Sequence, residues 1–449
     1  MQKYDVVIVG AGTAGCYNAY LLASKGFNVA LVEVKDKEEI GNKVCGDAIG
    51  KHHFDNLGLS YPSGKELEGV FKGIIIYSPK EDRSILVRGE GFAINRYWFG
   101  QRLLKMALDK GVDLYDNHLA LEPIIRDEYV IGVKARPKGT FSVREIHGKV
   151  IVDASGAVPA LRSRLPTEWW VSERASKEDY NITYREIRKI PVDVDTRYAS
   201  IYLSKKIAPG GYWWFFPKTK NKINVGLGLQ WSISNVNPRQ QYEKFILTRE
   251  IFKNSKLIHG GGGLVPTRRF LECPVWNGFV AIGDAAYTAN PIHGGGIGPS
   301  LISAKSAADA IEEALERDNP SIENLWEYPQ SYINLYGTKQ AKLDILRIFL
   351  QKLDDDDLQF IFDKEVITGD EISDMGFTGE LKMSILNRVS IALKLVTRPS
   401  LLKKLKIVKD YIGVIGEMYA RYPQTPRDYL RWRHKLGEKI KEFKLKLEI

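Results

Sequence analysis

Residues Asp5–Gly15, "DVVIVGAGTAG", decide the fold, because a short apolar strand runs straight into Gly10-Ala11-Gly12-Thr13-Ala14-Gly15 and then into helical spacing. Each glycine of this G-x-G-x-x-G turn has a separate task. Gly10 permits the tight turn, Gly12 lets a pyrophosphate approach the backbone, and Gly15 allows the helix to lie close on the sheet. The helix N-terminus, around Ala14, adds free N–H groups and the positive end of its dipole. The chain returns to strand in "FNVALVE", whose last residue, Glu33, stands 18 residues after Gly15. An acid there accepts hydrogen bonds from ribose hydroxyls and disfavours a 2′-phosphate. Residues 5–33 thus read as one βαβ unit.

Working outward, the 449 residues suggest about two or three domains. The 44% hydrophobic and 27% charged content belongs to a globular chain rather than a disordered or fibrous one. Cys16, Cys45 and Cys273 have no metal-ligand spacing, so no metal centre or disulfide framework is expected and a reducing cytoplasm suits the chain. The N-terminus has no apolar leader and no window has the ~18 uncharged residues of a membrane span. Net charge is +10, and residues 398–449 hold 14 Lys/Arg against 6 Asp/Glu. No nucleic-acid-binding motif accompanies that charge. A solvated helical face accounts for it, as does peripheral contact with the anionic inner face of the cell membrane.

The remaining pattern divides the chain. Residues 1–175 and 260–322 read as a discontinuous nucleotide-binding domain, with β insertions near 68–90 and a helix over 96–110. Residues 176–259 alternate β-rich segments and read as an antiparallel substrate sheet. Residues 323–449 read as helical, broken at Pro399, Pro423 and Pro426. The fold class is α/β with α+β insertions.

A second glycine cluster says which dinucleotide. Gly283-Asp284 closes the strand "FVAIGD", and "AAYTANPIHGGGIGPS" follows as a turn opening another helix. Asp284 suits a flavin ribityl hydroxyl, and the N–H groups of Gly295, Gly296 and Ile297 suit the anionic edge of a reduced isoalloxazine. The cofactor expected is FAD.

With the N-terminal glycines, Asp153-Ala154-Ser155-Gly156 and Gly283-Asp284 in this order, the chain resembles the FAD-dependent group that includes p-hydroxybenzoate hydroxylase. That implies a Rossmann-like FAD domain. The hydroxylases carry Asp-Gly where Asp153–Gly156 stands, in a region that also serves NADPH. Within the group, "PGGYWWFFP" (209–217) followed after eight residues by Gly226-Leu227-Gly228 resembles the geranylgeranyl reductase signature. "KVCGDAIG" (43–50) is similar to the cysteine-glycine turn those reductases carry beside the flavin, so Cys45 and Gly46 are flavin-contact candidates. The resemblance further implies that Arg96 reaches the FAD phosphates and that Ala120 offers backbone contacts to adenine.

The aromatic run has a physical reason. On a strand Tyr212, Trp214 and Phe216 share one face while Trp213 and Phe215 share the other. An aromatic slot closed by Gly226 and Gly228 suits a polyprenyl chain, whose affinity comes from burial at about 25 cal/mol per Å². An isolated alkene has no carbonyl to hold negative charge, so hydride and proton must arrive together and positive character develops on the tertiary carbon. Tyr212 and Trp214 are candidates to stabilise it. Cys45, a thiol neutral at pH 7, is the first candidate for the proton and His293 the second.

These residues predict saturation of geranylgeranyl chains in a prenyl diphosphate or a prenyl lipid, with NADPH or a ferredoxin-type donor. A flavin monooxygenase or halogenase shares the cofactor fold. A membrane-associated electron-transfer flavoprotein shares the basic C-terminus.

Overall fold

The computed structural model describes residues 3–233, 235–380 and 397–448. The opening unit is strand Lys3–Val9, helix Thr13–Ser24 and strand Val29–Val32. Val6–Val9 and Val29–Val32 are buried throughout, which a strand covered on both faces requires. The first sheet runs Val275–Trp276, Phe279–Ala281, Arg144–Asp153, Lys3–Val9, Val29–Val32, Asp113–Tyr115. Every pairing from Phe279–Ala281 onward is parallel. His118–Arg126 and Tyr129–Pro137 extend Arg144–Asp153 as an antiparallel ribbon. Helices Arg96–Leu108 and Ile297–Glu316 pack on Thr13–Ser24. Asn95 caps the first of these by accepting from the amides of Tyr97 and Trp98. The result is the Rossmann-type dinucleotide fold that the glycine turn implied.

The second sheet runs Lys256–Pro266, Tyr180–Lys189, Lys222–Gln230, Tyr212–Thr219, Tyr198–Tyr202, Leu67–Tyr77, Ser84–Ile94, Ala48–Gly50. It differs from the sequence division in two ways. It takes in residues 48–50, 67–94 and 260–266, and it is not wholly antiparallel, because Tyr198–Tyr202 lies parallel to Leu67–Tyr77. The physical reason is edge pairing: a lone hairpin at 67–94 is marginal and exposes unpaired N–H and C=O groups. Tyr198–Tyr202 joins that edge from Tyr198↔Gly73 to Tyr202↔Tyr77.

The C-terminal region is helical where described, with Thr338–Leu350, Asp355–Asp363, Gly369–Thr378, Pro399–Ala420 and Tyr429–Lys446. Pro399 opens a helix, and Pro423 and Pro426 lie between the last two. The helical expectation over 381–396 falls outside the described residues. A buried ionic cluster docks this region onto the rest. Arg269 reaches across to Asp344 at 3.3 Å, and Arg433 meets Glu173 at 2.7 Å, while Glu272 and Arg347 pair with Arg269 and Asp344 at 2.6 and 2.7 Å on their own sides. Among the described residues no helix is long and apolar enough to cross a membrane. No group of three His, Cys, Asp or Glu side chains there is placed to hold a metal ion.

Candidate active site

The glycine turn is built for close approach. At Gly10, with φ +105°, a Cβ would stand 2.6 Å from the Ala154 carbonyl oxygen, and at Gly15 one would stand 1.8 Å from the Gly10 carbonyl oxygen. Those two glycines let strand, turn and helix touch. Gly12 is different, since nothing lies within 4 Å of a Cβ there. It faces a cavity of about 1510 Å³, lined also by Thr13 and Ala14.

Arg96 makes the clearest argument for an anion. Its guanidinium is buried, donates from Nη2 to Thr13 Oγ1 at 2.9 Å, and leaves Nε and Nη1 without partners among the described residues. Buried unpaired donors are costly unless a ligand takes them up. At the other end of the nucleotide path, Asp284 has a buried Oδ1 without a partner, while Lys43 Nζ lies 3.6 Å from Oδ2. Helix Ile297–Glu316 begins there at N-cap Gly296 with no side-chain cap. An open glycine, two orphaned guanidinium nitrogens, an orphaned carboxylate oxygen and an uncapped 20-residue helix fit FAD.

Other candidates sit differently. Glu33 does not line the cavity; its Oε2 accepts from Ala11 N at 2.7 Å and its Oε1 from Lys35 N at 3.0 Å. Asp153 is buried, and its oxygens accept from the amides of Ser155, Leu161 and Arg162. Its observed contacts hold the following loop. Ala120 is buried in the antiparallel ribbon opposite Ala135, away from the cavity lining. The Gly295 amide already donates to His293 Nδ1 at 3.1 Å.

The aromatic strand Tyr212–Thr219 forms the opposite wall. Tyr212, Trp214 and Phe216 line the cavity. Trp213 instead lies in the core behind the sheet with Ile223, Val225 and Leu227, and Phe215 packs against the same group. The register explains the spaced glycines: Gly228 stands across from Tyr212, and Gly226 across from Trp214. A Cβ on Gly226 would meet Trp214 Cζ2 at 2.6 Å, so the indole lies where a side chain would have been. Gly228 lines the cavity, whereas Gly226 acts from beneath the ring.

Wall and cofactor loop are tied together by Tyr212, whose hydroxyl donates to the His293 carbonyl at 2.6 Å. Burial pushes the Tyr212 phenol up, and the Cys45 thiol beside it adds to the shift. Cys45 and Gly46 line the same cavity, with the Gly46 Cβ position 3.4 Å from the Phe216 ring.

Three groups escaped the sequence analysis. His52 and His53, with ring centroids 4.0 Å apart, and Lys339, whose ammonium lies 4.4 Å from the Tyr336 ring, line the cavity with His293. Desolvation by the surrounding walls lowers the half-buried His53 to about 3 and Lys339 to about 8, and it lowers His293 to about 4 although that residue is open to the cavity. No motif marks them, because they converge from three separate segments. Beyond them the cavity is mainly apolar, with Ile74, Ile76 and Val87 on the sheet side and Phe349, Ile361 and Val366 on the helical side, and charged residues such as Arg88, Lys205 and Lys406 also line it.

Residues 179–265 match the family model for the geranylgeranyl reductase catalytic domain, and residues 5–59 match that for glucose inhibited division protein A. A digeranylgeranylglycerophospholipid reductase of Sulfolobus acidocaldarius is 41% identical over 444 residues, 98% of each chain. Its counterpart in Methanosarcina acetivorans is 30% identical over 380 residues, 81% of this chain and 89% of its own. Among solved structures, a geranylgeranyl bacteriochlorophyll reductase-like protein of Thermoplasma acidophilum has a TM-score of 0.77 and 25% identity, covering 91% of this chain and 100% of its own. A myxobacterial FAD-dependent halogenase shares the fold, with a TM-score of 0.65 at 16% identity over 88% of this chain and 97% of its own. The chain belongs to the digeranylgeranylglycerophospholipid reductase family.

Proposed function

We propose that this FAD-dependent oxidoreductase saturates C=C bonds in geranylgeranyl chains, carried on an isoprenoid diphosphate or an archaeal ether lipid. The observation that carries the reading is one cavity of about 1510 Å³ bounded by Gly12, Arg96 and Asp284 on one side and by Tyr212, Trp214 and Phe216 on another. Bound and reduced, FAD supplies the hydride. The chain's own residues do the rest.

Arg96, Thr13 and the amides following Gly12 hold the pyrophosphate, and Asp284 takes a ribityl hydroxyl. The apolar walls bind the prenyl chain by burial and exclude water, which strengthens every electrostatic interaction inside. Tyr212 and Trp214 turn ring faces toward the alkene and stabilise positive character on its tertiary carbon by about 0.5–2 kcal/mol each. Cys45 holds the proton at Sγ for the neighbouring carbon, whereas His293, lowered to about 4, is neutral near pH 7 and orders the loop by accepting from the Gly295 amide at 3.1 Å. The electron donor is NADPH or a ferredoxin-type protein. The protein works in the cytoplasm, and the basic surface of residues 398–449 brings it to the inner face of the membrane where lipid substrate lies.

The test is anaerobic. The yellow protein is reduced with dithionite, geranylgeranyl diphosphate is added, and flavin absorbance and product mass are followed together. Reoxidation with a mass gain of about two per bond, from the added hydride and proton, supports the reading. Flavin that stays reduced until oxygen enters overturns it in favour of a monooxygenase.

A further inference from the structure

Beneath the aromatic wall lies a polar network that the reduction as described does not use. Asn224 on strand Lys222–Gln230 is fully buried. Its Oδ1 accepts from Trp214 Nε1 at 3.0 Å, and its Nδ2 donates to the Cys45 carbonyl at 2.8 Å and to Asp47 Oδ2 at 2.9 Å. Asp47 is 2% exposed and left-handed at φ +59°. Its Oδ2 also accepts from Lys218 Nζ at 2.7 Å, and Lys218 donates onward to the Ile94 carbonyl at 2.9 Å. Arg185 closes the far side, donating to the carbonyls of Cys45 and Lys43 at 3.1 Å each.

Two features separate this from ordinary core packing. Lys218 and Asp47, both 2% exposed, meet at 2.7 Å, and the same ammonium meets Glu68 at 2.6 Å; a buried ionic group of this kind is a poor way to gain stability, since desolvation cancels much of the attraction. Asp47 also combines a left-handed backbone with an Oδ1 that is buried without a partner among the described residues. Strained backbone and under-satisfied polar groups concentrate where geometry serves function. Asn224 is the point where the Cys45 turn and the Trp214 strand meet. Its two hydrogen-bonding ends reach the two elements that the proposed reduction needs in register.

We infer that Asn224 is a positioning residue that locks the Trp214 indole and the Cys45 turn into one unit, with the Lys218–Asp47 pair holding the turn. The inference rests on the reductase reading for its catalytic consequence but not for its geometry. The pair fixes the turn from below, Asn224 transmits that position to the indole, and substrate meets thiol and ring in a fixed relation. Misplacing such groups by about 1 Å costs on the order of 10²-fold in rate.

The experiment uses the flavin-loaded full chain carrying Asn224→Ala or Lys218→Met. Cys16 and Cys273 are buried, so the rate of modification by Ellman's reagent without substrate reports Cys45. The expected result is modification faster by about tenfold in either variant, because the turn is freed. With geranylgeranyl diphosphate, kcat falls by about tenfold or more while KM stays within about threefold. Asn224→Ala added to Trp214→Phe, which removes only the indole N–H and part of the ring, has a smaller effect than on the parent. Should the Asn224 and Lys218 variants fail to fold, Trp214→Phe alone tests the same bridge, and its thiol modification is expected to quicken about threefold. Unchanged modification in the folded variants overturns the inference. Faster modification in a protein that reduces no prenyl substrate upholds the geometry and sinks the reductase reading instead.

Discussion

Trp213 and Trp214 are neighbours in the chain, alike in chemistry and both buried, yet they belong to different parts of the molecule. Trp213 stacks on Tyr202 with ring centroids 3.7 Å apart, carries Arg249 over its ring at 4.4 Å, and sits in a closed core. Trp214 stands over Gly226, donates its N–H to Asn224 and forms cavity wall. Burial alone does not tell core from site. What differs is the surroundings: a filled core around Trp213 on one side of the sheet, and on the other an indole seated on Gly226 with the cavity beyond the ring.

The largest effect that sharpens this comparison is expected on the core side. Trp213→Ala leaves a cavity that the sheet cannot collapse, and should lower unfolding free energy by about 3–5 kcal/mol in a urea titration. Turnover per folded molecule should change little; a specific loss of turnover would break the division between the faces.

Gly226→Ala comes next. Its Cβ meets Arg185 Cβ at 2.4 Å and the Trp214 ring at 2.6 Å, so overpacking should cost about 1–3 kcal/mol and displace the indole. Stability and turnover should fall together, whereas Gly12→Ala, with open space around it, should keep the fold and weaken FAD retention on a desalting column.

Trp214→Leu should leave stability closer to the parent than Trp213→Ala does and slow substrate-driven flavin reoxidation by roughly tenfold, the worth of about 1–2 kcal/mol of cation stabilisation. Retained turnover with unchanged substrate binding would assign the cation to another wall.

The smallest effect concerns the cavity loop. His293 is lowered from 6.5 to about 4, chiefly by desolvation with Lys339 and His52 adding. Between those values the unfolded chain binds a proton that the native ring refuses. Stability should therefore decline as pH falls from about 6.5 toward 4 and be level in this respect above 6.5. His293→Asn should flatten part of that slope in urea midpoints taken from pH 4.5 to 7. An unaltered slope would show the ring to be hydrated.

Much of this was legible in local sequence. The glycine turn, Asp284 at a strand end and the alternation of Tyr212, Trp214 and Phe216 depend on neighbours within a few residues, where strand period and helix termini act directly. Arg96 was reachable only through family resemblance, since its partner Thr13 lies 83 positions away. Asn224 and Lys218 carry no signal, and the cysteine-glycine turn that contains Asp47 says nothing of the partners its carboxylate finds. A lysine after Pro217 reads as exposed, and nothing short of the folded sheet shows that it is 2% exposed against an aspartate 171 positions earlier.

The sequence by itself determined the dinucleotide turn and the two-faced aromatic strand, because both follow from backbone periodicity and glycine sterics over short spans; its FAD character came from the second glycine cluster at Gly283-Asp284, and the family from the resemblance of the aromatic-proline and cysteine-glycine stretches. Only the tertiary structure decided that residues 67–94 join the second sheet, that Glu33 and Asp153 spend their oxygens on nearby backbone amides, and that His52, His53 and Lys339 meet His293 at one cavity. Those outcomes depend on which distant segments satisfy one another's hydrogen bonds and bury one another's surface, and that choice is made by the whole chain at once.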